Sequence, residues 1–107
     1  MAGVNKVILI GNLLLDPQLK HTATGNPIAK LTIATTERWT DKEGNNRETV
    51  EWHRVVAFGR LAENCAELLE KGNQVCIEGR LQTRKLEDEE GTQRWTTDIV
   101  AINITLL

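Results

Sequence analysis

The side chains best suited to chemistry in this sequence are three tryptophans, one phenylalanine and a scatter of lysines and arginines. The stretch Glu48 to Phe58 organises several of them. Its even positions carry Val50, Trp52, Arg54, Val56 and Phe58; its odd positions carry Thr49, Glu51, His53, Val55 and Ala57. Side chains of a β-strand alternate between faces, so Trp52, Arg54 and Phe58 are expected on one face and His53 on the other. Two flat rings with a cation between them form a platform on which unpaired bases stack, while the guanidinium meets phosphate or a ring. No sequence code is needed, because every base has a π face. The plainer reading puts both rings in the core. Arg54 argues against it, since burying a guanidinium without a partner is costly. Trp39, beside Thr40, Asp41 and Lys42, opens a polar loop and is expected to be exposed, whereas Trp95 fits core or surface equally well.

Lys6, Lys20, Lys42, Arg54, Arg60, Lys71, Arg84 and Lys85 are each, by default, solvated surface charges. As a set they can follow a phosphate backbone, which would make binding salt-dependent. The net charge of -2 runs against the basic balance expected of a nucleic-acid-binding domain. Four acids are concentrated at Glu87, Asp88, Glu89 and Glu90, a predicted hairpin tip. Without that tip the chain carries a small positive balance, compatible with a basic groove on an acidic protein.

Catalytic patterns are missing. There is no GxxxxGK[ST] or HExxH, and neither His21 nor His53 has a base or nucleophile partner by spacing. Cys65 and Cys76 lack metal-ligand spacing and read as buried thiols of a reducing compartment rather than a disulfide. The expectation is a protein without catalytic activity, metal or other cofactor. Met1 to Lys6 lacks the plan of a signal peptide and no apolar run is of membrane-spanning length, so a cytoplasmic location without membrane contact is expected.

These residues need elements to hold them. Val4 to Asn12, centred on Val7-Ile8-Leu9-Ile10, reads as a buried strand ending near Gly11. Asp16-Pro17 and Thr24-Gly25-Asn26-Pro27 are breaks. Ile28 to Thr36 alternates, with Ala29, Leu31 and Ile33 on one face and Lys30 and Thr32 on the other. Trp39 to Asn46 reads as a hairpin loop before the strand Glu48 to Phe58. Leu61, Cys65, Leu68 and Leu69 fall at helical spacing, with Gly72 placed for a left-handed cap. Gln74 to Lys85 and Arg94 to Leu106 complete the strands, with a bend or bulge expected at Gly79. At 107 residues this is the size of one domain, spanning 1–107. Three strands, a short helix and two strands is the order of a five-stranded all-β Greek-key barrel of the OB type, with its helix between strands three and four. An antiparallel sheet packed on one helix has the same order.

The segments Gly3-Val4-Asn5-Lys6-Val7-Ile8-Leu9-Ile10-Gly11-Asn12, Glu51-Trp52-His53-Arg54-Val55-Val56 with Phe58-Gly59, and Lys71-Gly72-Asn73-Gln74-Val75 with Thr83-Arg84-Lys85 closely resemble the bacterial single-stranded DNA-binding protein family. The resemblance implies an OB-fold homotetramer that coats unpaired DNA in replication, repair and recombination, in the cytoplasm with the nucleoid. Position by position it assigns base stacking to Trp39, Trp52 and Phe58. It assigns DNA contact to the eight basic residues above, and a subunit-interface role to His53 and Gln74. Leu86 departs from the pattern, which often has a stacking tryptophan there, so one platform is absent or moved to Trp95. The family also continues into a flexible linker and an acidic tip that recruits replication and repair proteins, and no such segment follows Leu107 in this sequence. The competing reading is an accessory module of the same fold devoted to protein contacts. Retention of Trp39, Trp52 and Phe58 argues against it.

Overall fold

Seven elements follow one another in the computed structural model, which describes residues 2–107. They are β1 (Val7–Leu13), β2 (Gln18–His21), β3 (Pro27–Thr40), β4 (Asn46–Phe58), α1 (Arg60–Leu68), β5 (Gln74–Glu87) and β6 (Gln93–Leu106). The sheet runs β1-β5-β6-β4-β3-β2, and β1 also pairs with β3. That last pairing, Asn12 opposite Ala34 and Leu13 opposite Ile33, closes five strands into a barrel. Closure settles the OB plan against the open sheet. The β4–β6 pair is parallel, at Val55–Ile99 and Val56–Val100, and all other pairs are antiparallel.

The barrel interior is made by alternate residues. Ala29, Leu31 and Ile33 of β3, Val55 and Ala57 of β4, and Val75 and Ile77 of β5 are all buried, together with Leu13 and Ile99. Helix α1 stoppers one end with Ala62 and Cys65. Two glycines let the wall curve this tightly. A side chain on Gly11 would collide with the carbonyl oxygen of Ala34, and one on Gly79 with that of Val100. Gly79 is also where the β5–β6 register shifts, the bulge that the sequence suggests.

Four expectations need correction. The apolar run of β1 is not buried on both sides: Ile8 and Ile10 are 61% and 56% exposed, because only the opposite face meets the core. A continuous apolar run does not reveal how many sides are covered. Residues 18–21 form a strand, β2, paired along the edge of β3, where the sequence offered only breaks on either side. Helix α1 ends at Leu68, with Leu69 extended as its cap; Gly72 is left-handed (φ 93) but lies in the following turn, where its N–H donates to the Leu13 carbonyl. Trp39 is strand rather than loop, paired with Arg47, and the turn is only Asp41–Asn45.

Beyond the barrel, β3–β4 and β5–β6 run on as two-stranded arms. Their outer residues, Glu37–Thr40 with Asn46–Glu51 and Gln82–Glu87 with Gln93–Trp95, are all exposed. An aspartate shapes each tip. The Asp41 carboxylate accepts from the backbone N–H groups of Glu43 and Asn45, both at 2.9 Å, and Asp88 accepts from those of Glu90 and Thr92 at 3.0 and 2.8 Å.

Candidate nucleic-acid interface

Residues directly opposite across neighbouring strands project to the same side of a sheet. The register therefore defines one outer face. Trp52 stands opposite Ala34, Arg54 opposite Thr32, Val56 opposite Lys30 and Phe58 opposite Ile28. Lys20 of β2 extends the last row, opposite Ile28. On the far side, Val56 meets Val100, while Gln82 pairs with Asp98 and Arg84 with Thr96. Trp52 is 72% exposed and Phe58 51% exposed, whereas Val56 and Val100 between them are covered. The result is a shallow apolar floor with aromatic rings and cations around it.

Phe58, Ile28, Val56, Val100, Gln82, Arg84 and Asp98 line one small hollow on this face. A second, beside it, is bounded by Lys30, Arg54, Arg84, Leu86 and Thr96, and shares Asp98. Arg54 donates through Nη2 to Thr96 Oγ1 at 2.8 Å, and its Nε lies 3.8 Å from Asp98 Oδ1. Arg84 donates through Nη2 to Asp98 Oδ2 at 3.1 Å. Both guanidinium groups are more than half exposed while Asp98 is buried.

The other expected residues lie elsewhere. Trp39 falls on the opposite parity of β3, with Ile33, and forms a hollow at the arm tip with Arg38, Arg47 and Glu48. Trp95 is opposite Lys85, whose Nζ sits 5.7 Å from its ring centre, on the face of β5–β6 that continues Ile99 and Leu81. Trp95 is 71% exposed, which decides it for the surface. The four expected stacking rings thus divide: Trp52 and Phe58 share the outer face, and Trp39 and Trp95 occupy the reverse sides of the two arms. Of the eight expected cations, Lys20, Arg54 and Arg84 are on the outer face. Lys42 is in the first arm's turn, Arg60 opens α1 and Lys71 follows it, Lys85 covers Trp95, and Lys6 lies 3.9 Å from Glu78. His53 is half-buried with Nε2 2.8 Å from Thr35 Oγ1, on the side of β4 opposite Trp52; Gln74 is exposed, opposite Asn12.

Three polar residues of this face were not singled out from the sequence. Lys30 carried a signal, since it alternates with the buried Leu31. Arg80, opposite Val100, carried the same kind of signal. Asp98 carried none: its partners come from β4 and β5, and the β4–β6 pairing is not legible locally. Among the described residues no cluster of three metal-ligating side chains occurs, and no helix is long and apolar enough to cross a membrane.

Known proteins share this architecture. The barrel superimposes on the single-stranded DNA-binding protein of Thermus aquaticus, solved as a deletion mutant, with a TM-score of 0.87 and 37% identity over 98% of this chain. It spans 51% of that protein, about half its length. A Plasmodium falciparum homologue, solved in complex with single-stranded DNA, matches with a TM-score of 0.91 and 26% identity, covering 100% of this chain and 97% of its own. The model of the single-strand binding protein family matches residues 4–107, nearly the whole sequence, and the chain belongs to that family.

Proposed function

We propose that this chain binds single-stranded DNA without reading its sequence, and does no chemistry on it. The observation that carries the proposal is the outer face, where the exposed Trp52 and Phe58 rings flank Arg54 across a covered apolar floor. Bases stack on the rings, and Arg54, Arg84, Lys20 and Lys30 meet phosphates along the groove. Trp39 and Trp95 extend the path around the arms, with Lys6, Lys42, Arg60, Lys71 and Lys85 supplying further cations. Leu86, exposed beside Arg84, offers apolar contact where a ring would stack.

The assembly is a homotetramer acting in replication, repair and recombination. The exposed Ile8 and Ile10 on the outer side of β1, continuous with Gln74 through the β1–β5 register, favour subunit contact there; His53 supplies a second contact. An adaptor that binds only proteins would leave the outer-face rings unused.

The test is a titration of intrinsic tryptophan fluorescence with oligo-dT, repeated with duplex DNA and at two salt concentrations. Quenching by the single strand, weakened by salt and absent with duplex, supports the proposal. No quenching and no binding moves the adaptor reading to the front.

A further inference from the structure

The outer face holds one buried charge, and it has the sign that a DNA-binding groove should avoid. Asp98 is 7% exposed and sits under the rims of both hollows. Its two carboxylate oxygens are divided between strands. Oδ2 accepts from Arg84 of β5 at 3.1 Å, and Oδ1 faces Arg54 Nε of β4 at 3.8 Å. No other buried Asp, Glu, Lys, Arg or His exists among the described residues.

A phosphate approaching this groove is repelled by Asp98, so the residue is unfavourable if only charge matters. Geometry gives the opposite result. Arginine side chains are long and lose much rotamer freedom when they are fixed. Each guanidinium has five N–H donors in a rigid fork. Arg84 spends one donor on Asp98, and Arg54 turns its Nε edge to Asp98 and one Nη2 donor to Thr96. The remaining donors stay at the exposed rim. The shared carboxylate also offsets the repulsion between two cations held on adjacent rows.

Resting on the single-stranded DNA reading above, we infer that Asp98 is a positioning residue: it fixes the Arg54 and Arg84 forks in a binding-ready orientation, and the affinity gained through them exceeds the repulsion Asp98 exerts on DNA. Its specific consequence is a sign. Removing a negative charge from a DNA groove should tighten binding; here it weakens it.

The experiment measures oligo-dT affinity against salt for the wild type, Asp98→Asn, Arg84→Met and the double variant. Asn has the shape of Asp, and its oxygen still accepts a hydrogen bond, so the barrel is retained; thermal melting checks this. Asp98→Asn is expected to bind about tenfold more weakly, the loss of roughly one charge-assisted hydrogen bond. In the Arg84→Met background the same change is expected to cost less, because one of the two groups it acts through is gone. Arg54→Lys and Arg84→Lys, which leave Asp98 in place and keep the charge but not the fork, are each expected to bind more weakly too. Asp98→Asn binding as tightly as the wild type or more so overturns the inference. So does an equal loss in the Arg84→Met background, or lysine variants indistinguishable from the wild type. A wild type that fails to bind oligo-dT overturns the single-stranded DNA reading itself, and is distinguishable from a wild type that binds beside an Asp98→Asn that binds equally.

Discussion

The barrel and its two arms are built from the same strands under opposite constraints. In the barrel, the inward positions of β3, β4 and β5 are sealed: Ala29, Ile33, Ala57, Val75 and Ile77 have no accessible surface. In the arms, the same strands continue with every residue exposed on both faces. Alternation therefore means different things along one strand. Near Ile33 it separates core from surface. Near Trp39 it separates two wet faces, and a tryptophan there gains nothing from burial. The arms keep their shape through ladder bonds, the Asp41 and Asp88 turns and exposed ion pairs such as Arg38–Glu48 at 3.4 Å, each of which contributes little. Stability resides in the barrel, and ring surface free for a ligand lies at its rim and on the arms.

The strongest way to break this contrast is to open the barrel. Ile77→Ala removes a fully buried side chain and is expected to cost about 3 kcal/mol of stability. Denaturant melts should show the loss, with DNA affinity largely retained where the protein remains folded. An effect below about 1 kcal/mol would mean that the barrel is not the stability centre.

Truncating the rings should give the reverse pattern. Trp52→Ala is expected to weaken oligo-dT binding by about 1–3 kcal/mol and leave the melting midpoint nearly unchanged. Trp39→Ala is expected to do the same with a smaller loss, since its ring is on the reverse side of the arm from the outer-face platform. Equal affinities in both variants and the wild type would remove the stacking assignment.

The cysteines sharpen the contrast at the scale of single groups. Burial on the barrel-facing side of α1 pushes the Cys65 thiol up to about 11, leaving almost no thiolate at neutral pH, whereas Cys76, also expected to be buried, points to the outer side of β5 and is partly exposed. A thiolate-selective reagent should modify Cys76 first and reach Cys65 only when the barrel opens. Equal rates under native conditions would mean that α1 detaches readily.

The legibility of the sequence follows the same division. Leu31, Ile33 and Val55 announce their strands by alternation, and the Trp52-Arg54-Phe58 face is correct because period two survives inside the barrel. Strand β2 was illegible because none of Gln18–His21 is buried, so no periodicity marks it. The sides taken by Trp39 and Trp95 could not be read either, because both lie in arms without a core. Asp98 depends on a parallel pairing between strands more than forty positions apart, and such contacts leave no local pattern.

The smallest expected effect is at the tip of the first arm. The Asp41 carboxyl is held below the usual carboxylate range, chiefly by the backbone N–H of Asn45; desolvation opposes this, and Arg47 and the N–H of Glu43 add to the lowering. A depressed folded-state value means that the turn is supported while Asp41 is ionised, and that support is lost as pH falls through the folded value. Asp41 is partly exposed at the tip of the arm, so the effect is local and screened by solvent. Amide exchange at Glu43 and Asn45, corrected for the intrinsic effect of pH, should therefore lose protection on acidification below the ordinary aspartate range, with no change at Ile33 or Ile77. Asp41→Asn should flatten that dependence. If the turn and the barrel amides lost protection together, arm and barrel would be one cooperative unit; if only the turn responds, each arm is a separately fraying element through which Trp39 can adjust to a bound strand.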